Sequence, residues 1–346
     1  MEKSPELPQD ILRRIFATLE IPDLVRAGAV CFSWNAAYSG ICSTGSWRMT
    51  QTPCLLYTSE SAGVRAAGLY GLAEKKSYTL TLPDPPICSR HIIGSSYGWI
   101  ITADERSELH LVNPITGEQI ALPSVTTIEQ VKPIFDDTRA VCNYEYSWYT
   151  GKRVISDTQS IFVPSELREY LFYKLSFARA GDDKWTFTQK VFLGKVKDIY
   201  SERIYIVQGP CGELLQIWRS DALSPESELD LEAHVSNTST INVYKVDPAL
   251  QKLVEISSLR ENVLFLGHNQ SLCLHAKDYP QLKANHVYFT DDNDIYIMGF
   301  QNNRRDIGLF DLEKNCSGEI VSPQLWSNWP APVWLIPNLR RISSCN

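Results

Sequence analysis

The residues most able to do chemistry in this chain lie in the string Gly-His-Asn-Gln-Ser-Leu-Cys-Leu-His, residues 267–275, where His268, Cys273 and His275 bring two imidazoles and a thiol close together. A strand there puts Cys273 and His275 on one face, but a zinc site draws on a second ligand pair at short spacing and none follows, so no metal is expected. Asp291, Asp292 and Asp294 form an acidic group of the kind that opens a calcium loop. The sixth loop position is not glycine and the twelfth is not glutamate, so a solvated hairpin turn is expected instead. The carboxylate pairs Asp136-Asp137 and Asp182-Asp183 fall in loop-like stretches, where adjacent side chains point apart instead of converging on one bond. No Gly-x-Ser-x-Gly elbow, His-Glu-x-x-His helix or glycine-rich phosphate loop occurs, and Gly209-Pro210-Cys211-Gly212 reads as a turn. These residues predict neither catalysis nor a cofactor. Tyr144, Tyr146, Trp148, Tyr149 and Arg153 suggest a different chemistry. Aromatic and arginine side chains at this density suit a protein–protein interface, with packing between sheets as the competing reading.

The charge balance narrows the choice of partner. With 33 basic and 40 acidic residues the chain carries a net charge of −7, whereas phosphate-backbone binding needs a clustered excess of Lys and Arg. Nucleic acid is therefore not an expected partner. The 346 residues, 44% hydrophobic and 21% charged, make an ordinary globular composition with room for one large repetitive domain or two smaller ones. The 9 cysteines are an odd number and include no Cys-x-x-Cys pair, so reduced, mostly buried thiols are expected. No basic-then-apolar leader opens the chain, and no apolar run reaches the roughly 20 residues that span a bilayer. The expected location is the cytoplasm or nucleus, away from membranes.

What positions these residues changes along the chain. Between Leu7 and Gly40 the apolar residues keep a helical spacing, and beyond Ser77 they come in short alternating bursts. Pro8 suits a first helical turn, with Asp10 near its positive dipole end. Ile11, Leu12, Ile15, Phe16 and Leu19 then make a stripe wider than one neighbouring helix needs. Pro22 and Asp23 start a second helix, and a third runs from about Cys31 through Trp34 to Gly40. Gly28 within the second costs up to about 1 kcal/mol against alanine and predicts a short or irregular helix. A unit this small buries too little surface to stand alone, so the stripe needs a partner, either the rest of the chain or another protein.

The string LPQDILRRIFATLEIPDLVRAGAVCFSWNAAYSG, within residues 4 to about 44, resembles an F-box, the three-helix module that docks on the Skp-type adaptor of a cullin-RING ubiquitin ligase. The resemblance rests on the opening Leu-Pro, Asp-Ile-Leu, the Asp-Leu of the second helix and Val-Cys-x-x-Trp of the third. It implies that Leu7, Pro8, Ile11, Leu12, Ile15, Leu24, Val30 and Cys31 face the adaptor, with Trp34 bracing the helices and reaching the interface by its edge. Phe32 and Asn35 depart from the family, many members of which carry basic or small polar side chains there.

Residues 45–87 read as a connector that packs on both regions, with a short strand through Cys54, Leu55 and Tyr57. Turn residues then punctuate short apolar runs without long helical crossovers, the mark of an all-β sandwich, barrel or propeller. Residues 98–122 read as a three-strand meander. A phrase of extended run, acidic or Asn residue, turn and second strand recurs at 109–120, 173–187, 243–254 and 307–320. Residues 287–312 read as three successive strands of one blade.

Residues 88 to 337 further resemble the C-terminal domain of plant F-box proteins with a KIB-type kelch-like β-propeller, through GSSYGWIITAD, LHLVNPITGEQIALP, VYKVD, FLGHNQSLCLHA, HVYFTDD, GLFDL and WPAPVWLIPNL in that order. The resemblance implies a mainly β fold: a three-helix head over residues 1–44, then a propeller of six or seven blades over 88–346. It implies a non-catalytic substrate receptor that joins a Skp-type adaptor, and through it a cullin scaffold, to a target protein. The alternatives are a propeller that binds a small ligand or sugar, and a hydrolase whose residues assemble only in three dimensions.

Overall fold

The computed structural model of the chain describes residues 7–128, 131–139, 141–148, 151–155, 172–177, 182–184, 186–192, 202–222, 237–247 and 252–341. Three helices come first: α1 (Gln9–Phe16), α2 (Ile21–Gly28) and α3 (Phe32–Thr44). Pro8 stands at the start of α1, where its missing N–H costs nothing, and Gly45 ends α3 in the left-handed conformation at φ 64°. Gly28 is the last residue of α2, and its lack of a side chain has a packing reason: a Cβ there would sit 2.6 Å from the Tyr38 ring.

The helices close on their own core of Leu12, Phe16, Ile21, Leu24, Ala27, Ala37 and Ile41. Trp47 and Leu339 complete it, and Ile115 packs against it, so the head rests on the β body. Polar bonds fix the joint. The Gln51 side-chain oxygen accepts from the Ile21 N–H at 2.7 Å, capping α2 from the next segment. The Glu20 carboxylate accepts from the Thr52 N–H and hydroxyl at 3.1 and 2.9 Å and meets Arg48 at 3.2 Å.

The body is built of sheets that are antiparallel except at one pair of strands. Strands β1 (Cys54–Tyr57), β2 (Ala66–Gly71) and β3 (Lys76–Thr81) form one; β4 (His91–Ser96), β5 (Trp99–Ala103), β6 (Leu109–Val112) and β7 (Gln119–Ala121) the next. β8 (Val131–Phe135), β9 (Val141–Trp148) and β10 (Gly151–Ile155) follow, then the pair β11 (Phe172–Phe177) and β12 (Thr186–Phe192). The next sheet holds β13 (Glu202–Gln208), β14 (Leu214–Asp221), β15 (Thr238–Asp247) and β16 (Lys252–Ile256). The last new sheet holds β17 (Asn262–Leu266), β18 (Leu272–His275), β19 (His286–Phe289), β20 (Gly308–Asp311) and β21 (Cys316–Gly318), in the order β18-β17-β19-β20-β21 with β17 and β19 parallel. The final strand, β22 (Val333–Leu335), returns to pair with β1, Cys54 opposite Leu335. That pairing closes a propeller-like ring by backbone hydrogen bonds between its two chain ends.

Several sequence expectations change here. The segment 45–87 is more than a connector: it supplies three strands of a four-stranded sheet whose fourth is β22, a pairing invisible locally because its partner lies near the other end of the chain. Four sheets have four or five strands, the complement of a blade, and the other two have three and two among the described residues, so complete blades number four where six or seven were expected. Within 287–312 the expected middle strand is the helix α4 (Asp294–Gly299), started by the Asn293 side chain accepting from the Tyr296 N–H. The thiols are less buried than expected, with Cys31, Cys211 and Cys316 exposed. The 98–122 meander is β5, β6 and β7, and each recurring phrase is a hairpin: β6–β7, β11–β12, β15–β16 and β20–β21. Its Asn or Asp has a mechanism, since Asn113 Oδ1 accepts from the N–H groups of Ile115 and Thr116, and Asp311 Oδ1 from those of Glu313 and Lys314. Among the described residues no helix is long and apolar enough to cross a membrane.

Candidate functional site

The apolar stripe of α1 divides in two. Leu12 and Phe16 point inward and are 1% and 2% exposed, whereas Ile11 and Ile15, one helical turn apart, stay on the outer face with Leu7 just ahead of them. Val30, Cys31 and Phe32 add a second exposed group where α2 gives way to α3. Phe32, the first residue of α3, is 94% exposed. Trp34 is half-buried and packs edge-on to Phe16, ring centres 5.3 Å apart at 71°, bracing α3 to α1.

Of the residues expected to face an adaptor, Leu7, Pro8, Ile11, Ile15, Val30 and Cys31 are exposed. Leu12 and Leu24 are corrected: at 1% and 0% exposure they belong to the helices' own core, which a three-helix unit needs before it can present anything. Phe32 is the residue that sequence reasoning passed over as a departure.

A second concentration of function-bearing side chains lies where β13, β14 and β15 meet the segment after β19. Arg219, fully buried, donates to Asp306 Oδ2 at 2.8 Å, to the Thr290 carbonyl at 2.7 Å and to Thr238 Oγ1 at 2.7 Å, with its guanidinium 4.5 Å from the Phe289 ring centre. Arg203 pairs with Asp221 and with Asp292 at 3.4 Å, and Arg305 approaches Asp291 at 3.9 Å. Tyr205 donates to Asp292 Oδ2 at 2.7 Å. Burial alone would pull the Arg219 pKa down, but the surrounding Tyr205, Asp292, Asp306 and Asp291 outweigh it and hold the guanidinium charged. Burial, reinforced by the Asp292 charge, raises the Tyr205 hydroxyl well above its ordinary value.

The acidic turn expected to be solvated is thus corrected: Asp291 is fully buried, and three arginines from other segments balance its neighbourhood. No local signal could have found this, because Arg219 meets Thr290, Asp292 and Asp306 71 to 87 residues along the chain. Three arginines and four aspartates meet there, and the cluster is a seam between two sheets.

The other candidates separate. His268 faces Asp294 at 3.4 Å, while Cys273 and His275 stand on β18, and among the described residues no three His, Cys, Asp or Glu side chains are grouped to hold a metal ion. Tyr144, Tyr146 and Trp148 lie on β9 and Arg153 on β10, with Arg153 registered opposite Tyr146; Tyr149 lies outside the described residues.

Comparison with known proteins agrees with this division into head and body. Residues 4–41 match the family model described as F-box-like, and residues 69–205 and 189–311 match the KIB1-4 beta-propeller model. The putative F-box protein At4g17565 of Arabidopsis thaliana is 22% identical over 343 residues, covering 84% of each chain. The F-box protein At2g05970 of the same plant is 23% identical over 373 residues, covering 89% of this chain and 88% of its own. The Arabidopsis thaliana F-box protein KIB4 is 28% identical over 149 residues, 42% of this chain and 37% of its own. With an exposed apolar face on an F-box-like head, and a ring of sheets that matches over most of its length, the chain belongs to the KIB1-4 β-propeller family.

Proposed function

We propose that this chain is the substrate-recognition subunit of a cullin-RING ubiquitin ligase of the SCF type, without catalytic residues of its own. The observation that carries this reading is the outer face of the head. Leu7, Pro8, Ile11, Ile15, Val30, Cys31 and Phe32 stay exposed although the same helices already have a complete core behind them. At about 25 cal/mol per Å², covering several such side chains supplies several kcal/mol to association, reduced by the cost of immobilising two proteins. A Skp-type adaptor is the partner, reaching a cullin scaffold through its own contacts, with the edge of Trp34 at the margin of the interface.

The kelch-like propeller holds the target protein, and the Tyr144, Tyr146, Trp148, Tyr149 and Arg153 group is one surface offered to it. Acceleration then comes from proximity: two reactants held in one assembly meet at raised effective concentration. The double variant Leu7→Asp/Ile11→Asp is expected to lose co-purification with a Skp-type adaptor by at least about tenfold while the thermal midpoint of the body is unchanged. Retention of the adaptor overturns the reading.

A further inference from the structure

On one face of the ring, three loops enclose a groove of about 810 Å³ between the end of β1, the segment after α4 and the stretch leading into β22. Its lining is unusual for this acidic chain. Glu60 is the single charged side chain among the residues that line it, and the amides of Gln301, Asn302, Gln324 and Asn328 stand with Trp326 and Trp329. None of the lining residues lies in a strand, so the groove offers no open ladder of backbone groups for an added β-strand.

The walls are fixed before any ligand arrives. The fully buried Arg305 donates through Nε to the Asn328 carbonyl at 2.7 Å, Asn328 Nδ2 donates to the Asn302 carbonyl at 2.7 Å, and the Ser327 N–H donates to the Thr58 carbonyl at 2.7 Å. Thr58 Oγ1 donates to the Trp329 carbonyl at 3.1 Å. One face of the Trp329 indole is covered by the parallel His91 ring, centres 5.6 Å apart at 10°, and His91 Nε2 lies 3.5 Å from Asp294 Oδ1, which also faces His268. The indole is therefore held in one plane.

The side-chain amides of Gln301 and Asn302 stand exposed at the rim of the groove, whereas Trp326 is buried and packs into the core behind it. Exposed donors beside a fixed aromatic surface suit a ligand that presents carbonyl oxygens and apolar rings but few charges. An extended proline-rich chain has that chemistry, since its polyproline II backbone pairs none of its own carbonyls and is already ordered before it binds. The neutral lining disfavours a phosphorylated or acidic segment, and Glu60 suits a basic residue at one end.

We propose that this groove is the docking site for a proline-rich, polyproline II segment of a protein target, with Trp329 as its apolar platform and the exposed Gln301 and Asn302 amides as donors to its carbonyls. This rests on the reading that the body holds a protein substrate, and it names the class of segment held. The test uses the full chain and a fluorescein-labelled proline–alanine peptide with a terminal lysine, followed by fluorescence anisotropy. A glycine–serine peptide of equal length and charge and a cello-oligosaccharide serve as competitors.

Saturable binding of the proline peptide is expected, weakened at least about tenfold by Trp329→Ala and several-fold by the surface variant Gln301→Ala/Asn302→Ala, whose side chains stand at the exposed rim. Should Trp329→Ala fail to fold, the amide variant decides alone. No binding, equal competition by the glycine–serine peptide, displacement by the oligosaccharide, or indifference to the amide variant each overturns the proposal. Leu7→Asp/Ile11→Asp is expected to bind the peptide as the native chain does. Loss of the adaptor reading and loss of the groove reading are thus separate results.

Discussion

The head and the seam invert the ordinary placement of side chains. On the helical head, Ile11, Ile15, Val30 and Phe32 face outward, while at the junction of β14 with the segment after β19 the chain buries Arg219, Asp291 and Arg305. The two inversions teach different things. An apolar side chain left in water after a core is complete adds nothing to the folded monomer and points to a surface that will be covered. A buried charge is expensive unless matched, so a matched cluster ties together segments that must meet in one arrangement. The first inversion concerns a partner, and the second concerns the ring itself.

Breaking the seam should have the largest effect. Arg219→Ala takes from the Asp306 carboxylate its guanidinium partner and leaves Asp292 with Arg203 alone, in a buried site, and the expected loss is about 3–5 kcal/mol of stability, read by chemical denaturation. Arg219→Met/Asp306→Leu should recover part of that loss, because it removes a charge from each side. A loss under about 1 kcal/mol would mean that water reaches the cluster, and the contrast with the exposed head would fail. Adaptor binding, measured at a temperature where the variant is still folded, should be untouched.

What could be read in the sequence follows the same division. The head was legible because its signals are local: Leu7-Pro8, the spacing of Ile11, Leu12, Ile15 and Phe16, and Trp34 all lie within a few turns of one another. The hairpins were legible for the same reason, with Asn113 and Asp311 marking turns whose bonds span two or three residues. Periodicity placed the stripe but could not divide it, since Leu12 and Ile11 differ only in which neighbour covers them. The pairing of β1 with β22 and the burial of Asp291 were not legible, because each depends on a segment far along the chain.

The division of the α1 stripe gives the next contrast. Leu12→Ala opens a cavity in the head's core and is expected to cost about 2–5 kcal/mol of the head's stability. Ile15→Ser, three residues away on the outer face, should change stability by less than about 0.5 kcal/mol and weaken adaptor capture instead. Denaturation of each variant, with pull-down on the same preparations, separates the two. If Ile15→Ser destabilised the chain as strongly as Leu12→Ala, the outer face would belong to the fold and not to a partner.

Cysteine chemistry offers the gentlest probe of the same contrast, because the thiols are already distributed across both regions. Cys31 sits exposed beside Val30 and Phe32, while Cys211 and Cys316 are exposed on the body. Burial, with Glu213 and Cys211 adding negative charge, pushes the Cys273 thiol up to about 12, and burial carries Cys54 well above its ordinary value. Only the thiolate is alkylated, and a raised pKa shrinks it: at pH 8 a thiol of pKa about 12 is ionised to roughly one part in ten thousand. Mild iodoacetamide treatment followed by peptide mass mapping should therefore label Cys31, Cys211 and Cys316 and spare Cys54 and Cys273. Added Skp-type adaptor should slow labelling at Cys31 several-fold and leave Cys211 and Cys316 unchanged, since covering the head hides one thiol and no part of the ring. Slowing at all three would indicate a change throughout the chain, and slowing at none would place the partner elsewhere than on the face that carries Phe32.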